Sequence, residues 1–247
     1  MKKLIVVFIC FVFTNGFSQS AISIPANFVK APPPKVWSDD WYRLNYSSEF
    51  SVSIVNNELH IEKIVPFRNA TKGKDDEIDL PTGILKGTDG GEFGGCLMFY
   101  PKDTSKTAVK VSRGNFKKIF RLDNKIYALA GTAHMSLDMG GMLEIDRGMP
   151  GIDTADNNFS IKNVINFYDS PEAYSIHNDS LFIATFKGFF VVKNLKKSTI
   201  FTDMFWEALY PNSVAVLNAE NIFVGIRGGF VKLNIINKSF EFYKNIE

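Results

Sequence analysis

The chain has 247 residues, of which 45% are hydrophobic, 14% aromatic and 22% charged, with a formal net charge of +2. That apolar content excludes a disordered chain, and 18 glycines and 10 prolines are too few for a fibrous or low-complexity one. A chain of about 250 residues can bury a sizeable core.

At the N-terminus, Lys2 and Lys3 precede an apolar run over residues 4–13, and Ser18 and Ser20 then supply small residues at cleavage-type spacing. This order predicts a secretory signal peptide over residues 1–20, hence a secreted or periplasmic protein. The apolar run is about half of the ~20 residues a membrane-spanning helix needs, so no transmembrane anchor is expected. Cleavage removes Lys2 and Lys3, leaving 26 basic against 26 acidic residues and a mature chain without formal charge. With no basic stripe either, nucleic-acid binding is not expected. Cys10 leaves with the leader, so Cys96 is the one thiol of the mature chain and forms no internal disulfide.

Residues 21–247 read as a single domain built on a repeat. Lys125-Ile126-Tyr127-Ala128-Leu129-Ala130, Ser180-Leu181-Phe182-Ile183-Ala184-Thr185 and Asn221-Ile222-Phe223-Val224-Gly225-Ile226 align, with a weaker copy at Glu58-Leu59-His60-Ile61-Glu62-Lys63. Each follows a short polar turn and is predicted to be the second strand of a hairpin. His60, aligned with Tyr127, Phe182 and Phe223, is expected to pack between sheets. A second motif places Gly95, Gly141, Gly188 and Gly229 at intervals of 46, 47 and 41. Units of four strands, A to D, recurring at that spacing predict an all-β fold, a β-propeller of four to five blades with four-stranded antiparallel sheets. Four blades fill residues 50–247, and residues 21–48 supply a closing strand or a partial fifth blade.

The runs Leu181-Phe182-Ile183-Ala184-Thr185-Phe186-Lys187-Gly188-Phe189 and Ile222-Phe223-Val224-Gly225-Ile226-Arg227-Gly228-Gly229-Phe230 resemble the blade repeat of extracytoplasmic propellers in bacterial two-component sensors. The resemblance covers about ten residues per blade and implies the fold. The sensors' signalling role does not carry over, because the chain shows neither a transmembrane helix nor a kinase portion.

The units differ in the connection between strands B and C. It is short in the last two blades, longer from residue 126 to 142, and longest from residue 59 to 96. In an up-and-down blade the B–C and D–A connections emerge on one face, which therefore collects insertions at residues 66–94 and 131–140 and the D–A segment 203–212. That face is the expected ligand or partner site. Trp206, Arg227 and Lys187 are its binding candidates, with residues 203–210 expected to form a helical turn or two. Glu92, His134 and Asp138 are its candidate acid–base groups. The acidic run holding Asp75, Glu77 and Asp79 is expected to be a solvated loop, with weak potential for Ca²⁺. His177 falls in a turn on the opposite face, so the three histidines form no metal cluster. No nucleotide-binding loop, HExxH, CxxC or Gly-x-Ser-x-Gly pattern occurs, and no cofactor is expected. The sequence thus points to an exported binding or interaction module for a protein or carbohydrate ligand. The alternative is an exported propeller enzyme, a glycan lyase or hydrolase.

Overall fold

The computed structural model describes residues 22–64, 75–134, 137–147 and 159–247; the predicted signal peptide lies outside them. In chain order, β1 (Phe28–Ala31) and helix α1 (Asp39–Asn45) precede a hairpin of β2 (Glu49–Val55) and β3 (Glu58–Ile64). Then come β4 (Asp75–Leu80), β5 (Gly83–Thr88), β6 (Cys96–Pro101) and β7 (Val109–Arg113), which pair in that order as one sheet. The next sheet holds β8 (Phe116–Leu122), β9 (Lys125–His134), β10 (Leu137–Arg147) and β11 (Phe159–Asn166). It is followed by β12 (Pro171–His177), β13 (Ser180–Thr185), β14 (Phe189–Lys193) and β15 (Lys196–Phe201). The last four-strand run is β16 (Ser213–Asn218), β17 (Asn221–Ile226), β18 (Gly229–Asn234) and β19 (Ser239–Asn245), to which β1 adds as an outermost fifth strand. Every pairing is antiparallel.

The fold is therefore an all-β propeller, with β2–β3 as a two-stranded first blade and the four larger sheets as blades two to five. The opening strands of the blades meet one another, with β4 against β8, β12 against β16 and β16 against β2. They form the inner edge of the wheel. Residues 21–48 do supply a closing strand, since β1 zips onto β19.

Side-chain alternation explains why the middle strands read as unbroken apolar runs. All six residues of β13 are buried. Leu181 and Ile183 face the third blade, joining Leu129, Met142 and Phe190, whereas Phe182 and Ala184 face the fifth, joining Val224 and Val231. A strand covered on both faces has no polar side to show. In the same way Ile222 and Val224 of β17 face the fourth blade, while Phe223 meets Phe50 and Val52 of the first. Gly225 lets that last approach happen: a Cβ there would lie 2.2 Å from the Phe50 carbonyl oxygen.

Turn chemistry is the second local determinant. Asn56-Asn57, Asp123-Asn124 and Asn178-Asp179 all hold positive φ at both central positions, between 47° and 65°. That is the type I′ turn whose twist matches paired strands, and Asn and Asp tolerate it best. The β14–β15 turn has the same shape but puts Leu195 at φ 57°.

Three expectations need correction. Residues 58–63 do form the second strand of a hairpin, but that hairpin is a separate blade; the partner of β6 in its own sheet is β5, not β3. The supposed insertion at 66–94 consequently contains β4 and β5, so the acidic run lies on a strand and not in a loop. His60 is exposed opposite Ser53, because no sheet covers its face of β3 among the described residues.

These assignments separate by mutation. Leu85→Ala, in a fully buried position on β5, is expected to cost about 2–5 kcal/mol in chemical denaturation, and His60→Ala less than about 0.5 kcal/mol. Leu195→Gly, by relieving left-handed strain at a partly exposed turn, is expected to raise stability by about 0.5–1 kcal/mol in the same assay.

Candidate functional site

The B–C and D–A connections do gather at one end of the wheel and are bonded to one another. Met204 donates its amide to the Lys187 carbonyl, Arg227 to Leu209, and Gly131 to Asn115, at 2.8–3.0 Å. Helix α1 packs at this end too: Trp41 Nε1 donates to the Phe205 carbonyl at 3.2 Å. Ser38 caps the helix by accepting the Trp41 amide.

Charged side chains tie neighbouring blades together here. Lys117, one residue into β8, lies 2.8 Å from Asp89 on the β5–β6 connection and 3.2 Å from Glu172 on β12. All three are largely buried. Burial works against the Lys117 ammonium, but Glu172 and Asp89 outweigh it and hold its pKa above the ordinary lysine value. Asn115 adds a neutral tie, donating to the Gly91 carbonyl at 2.6 Å and to Thr132 Oγ1 at 2.9 Å.

A second knot joins the third and fourth blades. Asp138 on β10 accepts the Ser170 amide through Oδ1 at 2.8 Å and meets Lys187 Nζ through Oδ2 at 2.9 Å. That contact holds the Lys187 pKa above its usual value. Beneath it lies Asp169, only 4% exposed; its Oδ2 accepts from the Thr185 hydroxyl and the Lys187 amide. Burial, reinforced by Asp138 alongside, pushes the Asp169 carboxyl up to about 7.

The remaining sequence candidates fall as follows. Arg227 sits in the β17–β18 turn as expected, but its guanidinium is committed: Nε to Glu49 at 3.0 Å, NH1 to the Asn45 carbonyl and side chain, with its plane 4.1 Å from the Tyr210 ring centre. It clamps the fifth blade to α1 and β2. Trp206 is fully buried and donates Nε1 to the Thr185 carbonyl, so it is part of the packing and offers no platform. The segment carrying it forms turns instead of a helix, with Asp203, Ala208 and Tyr210 at positive φ.

Glu92 and His134 meet at 3.1 Å, joining the second blade's B–C turn to the third blade's hairpin tip. Asp138 does not join them. His134 pairs with Leu137 across the hairpin and Asp138 with Ala133, so the pleat sends the two side chains to opposite faces. The stretch 131–140 is itself largely an extension of β9 and β10 and not a loop inserted between them. On β4, Glu77 and Asp79 are exposed, Asp79 pairs with Lys102 at 3.0 Å, and Asp76 accepts the Ile119 amide. The side chain of Asp75 lies outside the described residues. Among the described residues no group of three or more His, Cys, Asp or Glu is placed to hold a metal ion.

Exposed aromatic side chains are unevenly distributed. Trp37, Tyr42, Tyr46, Phe93, Tyr168 and Tyr210 all lie on or beside the connections of this end, and Tyr100 at the other. Lys117, Glu172, Asp169 and the aromatic Tyr168 escaped the sequence reading. Lys117 and Glu172 carry a signal, since each is the second residue of its blade's opening strand, whereas the repeat is visible in the second and third strands.

No family model matches the chain, and no curated protein matches it significantly. Among solved structures it is similar to the β-propeller domain of Cps50 (Swd1) from Myceliophteria thermophila, at 10% identity and TM-score 0.37, covering 79% of this chain and 62% of that one. It is also similar to the extracellular domain of a hybrid two component system from B. thetaiotaomicron, at 11% identity and TM-score 0.31, covering 85% and 39%. The chain thus spans less than two-thirds of either structure, and its architecture rests on the strand pairing and core contacts described above.

Proposed function

We propose that this protein is an exported binding module whose ligand or partner face is formed by the B–C and D–A connections. The observation that carries the reading is the crowding of exposed aromatic side chains onto that one end. Aromatic rings left in water are costly unless they meet a partner, and they supply much of the contact energy in protein interfaces and stack readily on sugars. The charged ties beneath them fix the connections relative to one another, so the aromatic surface is pre-organised, which lowers the entropic cost of binding. Export is supported by the charged, apolar, small-residue order of residues 1–20. The glycan-enzyme alternative gains nothing from the geometry, since Glu92, His134 and Asp138 do not share a cleft.

The test combines Tyr46→Ala, Phe93→Ala and Tyr168→Ala, the most exposed of the set. The triple variant is expected to unfold within about 2 °C of the parent, because these side chains leave the core untouched. It is also expected to lose about tenfold or more in affinity for whatever the parent binds on a glycan array or in cross-linking within its native envelope. Undiminished binding by the folded variant would sink the assignment of this face.

A further inference from the structure

One carboxylate oxygen in the knot between the third and fourth blades is unaccounted for. Asp169 Oδ1 is sealed from solvent and receives no hydrogen bond, whereas Asp138 Oδ2, equally sealed, takes the Lys187 ammonium at 2.9 Å. The Asp138 carboxyl stands beside that of Asp169 and acts on it directly. Acceptors cannot bond to acceptors, and buried oxygens left this way are rare in native proteins. A proton on Asp169 Oδ1 resolves it, turning Asp169 into a donor to Asp138.

We propose that Asp138 and Asp169 share a single proton, and that this proton latches the β9–β10 hairpin of the third blade onto the fourth. With it, Asp138, protonated Asp169 and Lys187 sum to zero charge. Without it, a second anion is stranded in a buried site beside the first, with one ammonium between them. Asp138 is then repelled from the position in which it accepts the Ser170 amide. Since the hairpin tip also contacts Glu92 through His134, the connections of the second, third and fourth blades lie along one line of contacts that this proton holds.

The groups facing the pair from every packed element are few. Lys187 and Thr185 come from the fourth blade's second strand and its following turn. Ser170 and, through it, Glu172 come from the start of β12, and Glu207 acts on Lys187 from the β15–β16 connection. A divalent cation is the other species that two buried carboxyl groups could hold, but the Lys187 ammonium already stands 2.9 Å from one of them.

The sign of the effect follows from the raised Asp169 value. Its folded-state value of about 7 lies above the ordinary 3.8, so the protonated form favours the native state. Its contribution is complete below about pH 4 and is lost as pH rises through about 7. Burial also raises the Glu172 carboxyl, with the same sign, but that contribution is common to parent and variant. Asp169→Asn keeps the shape and donates permanently where the proton did.

The experiment needs no ligand, so its outcome is independent of the proposed function. Thermal melts are compared for the parent and for Asp169→Asn between about pH 5 and about pH 8, with carbon-13 carboxyl titration of the parent alongside. The parent is expected to fall by about 5 °C more than the variant across that range. One aspartate of the parent is expected to titrate near neutrality, its signal missing from the variant. Equal pH dependence in the two proteins overturns the latch, as does a parent in which no aspartate titrates above about pH 5. A Ca²⁺-induced rise in Tm that both Asp138→Asn and Asp169→Asn abolish also overturns it, in favour of a metal site. Should the variant not fold, the titration of the parent decides alone.

Discussion

The second strands of the fourth and fifth blades have no face left for water. β13 is covered by the third blade on one side and by the fifth on the other, and β17 sits in the same position between the fourth and the first. Covering a sheet on both faces requires apolar residues along its central strands, and β9, β13 and β17 repeat one another because each meets a neighbouring blade on either side. The largely buried charged side chains Lys117, Asp138, Asp169 and Glu172 stand at strand starts and connections.

At the end where the B–C and D–A connections meet, the polar groups are not simply solvated. Lys117 with Asp89 and Glu172, Asp138 with Lys187 and Asp169, and Arg227 with Glu49 each span a junction between blades. Partly buried ion pairs add little net stability over an apolar contact, but removing one partner strands the other, so they penalise misplacement strongly. They specify how adjacent connections sit, whereas the apolar clusters below supply the cohesion. An aromatic surface resting on such ties is held in shape by them.

The fold was legible because the double burial writes itself into β9, β13 and β17 as repeated apolar runs, and the type I′ turns into Asn-Asn, Asp-Asn and Asn-Asp pairs. The second blade was misread for a physical reason. Its β4 alternates Asp76, Ile78 and Leu80 with Glu77 and Asp79, a sequence that reads as charged loop until its pairing with β5 is known. The shared end of the wheel follows from up-and-down topology, and Lys187, Arg227 and Asp138 stand there, each engaged in a contact between elements. What the sequence concealed was the state of each side chain. Trp206 and Tyr210 stand four residues apart in one segment, yet the first is wholly buried and the second half exposed. Asp169 carries no local mark in Tyr168-Asp169-Ser170-Pro171 that separates it from any turn residue; its surroundings come from β10 and β13, in other parts of the chain.

The junction of β1 with β19 sets a schedule for assembly. Asn245 bonds to Asn27 across 218 positions of sequence, so the outer edge of the fifth blade is made from the first and last of the described strands. Contacts of such separation form late, after the loops they close have been restrained by other structure. A chain that leaves the ribosome or a translocation pore N-terminus first must carry residues 28–31 unpaired until its last strand arrives. The fifth blade is thus the final one to be completed, and its outer edge stays open until both strands have been made.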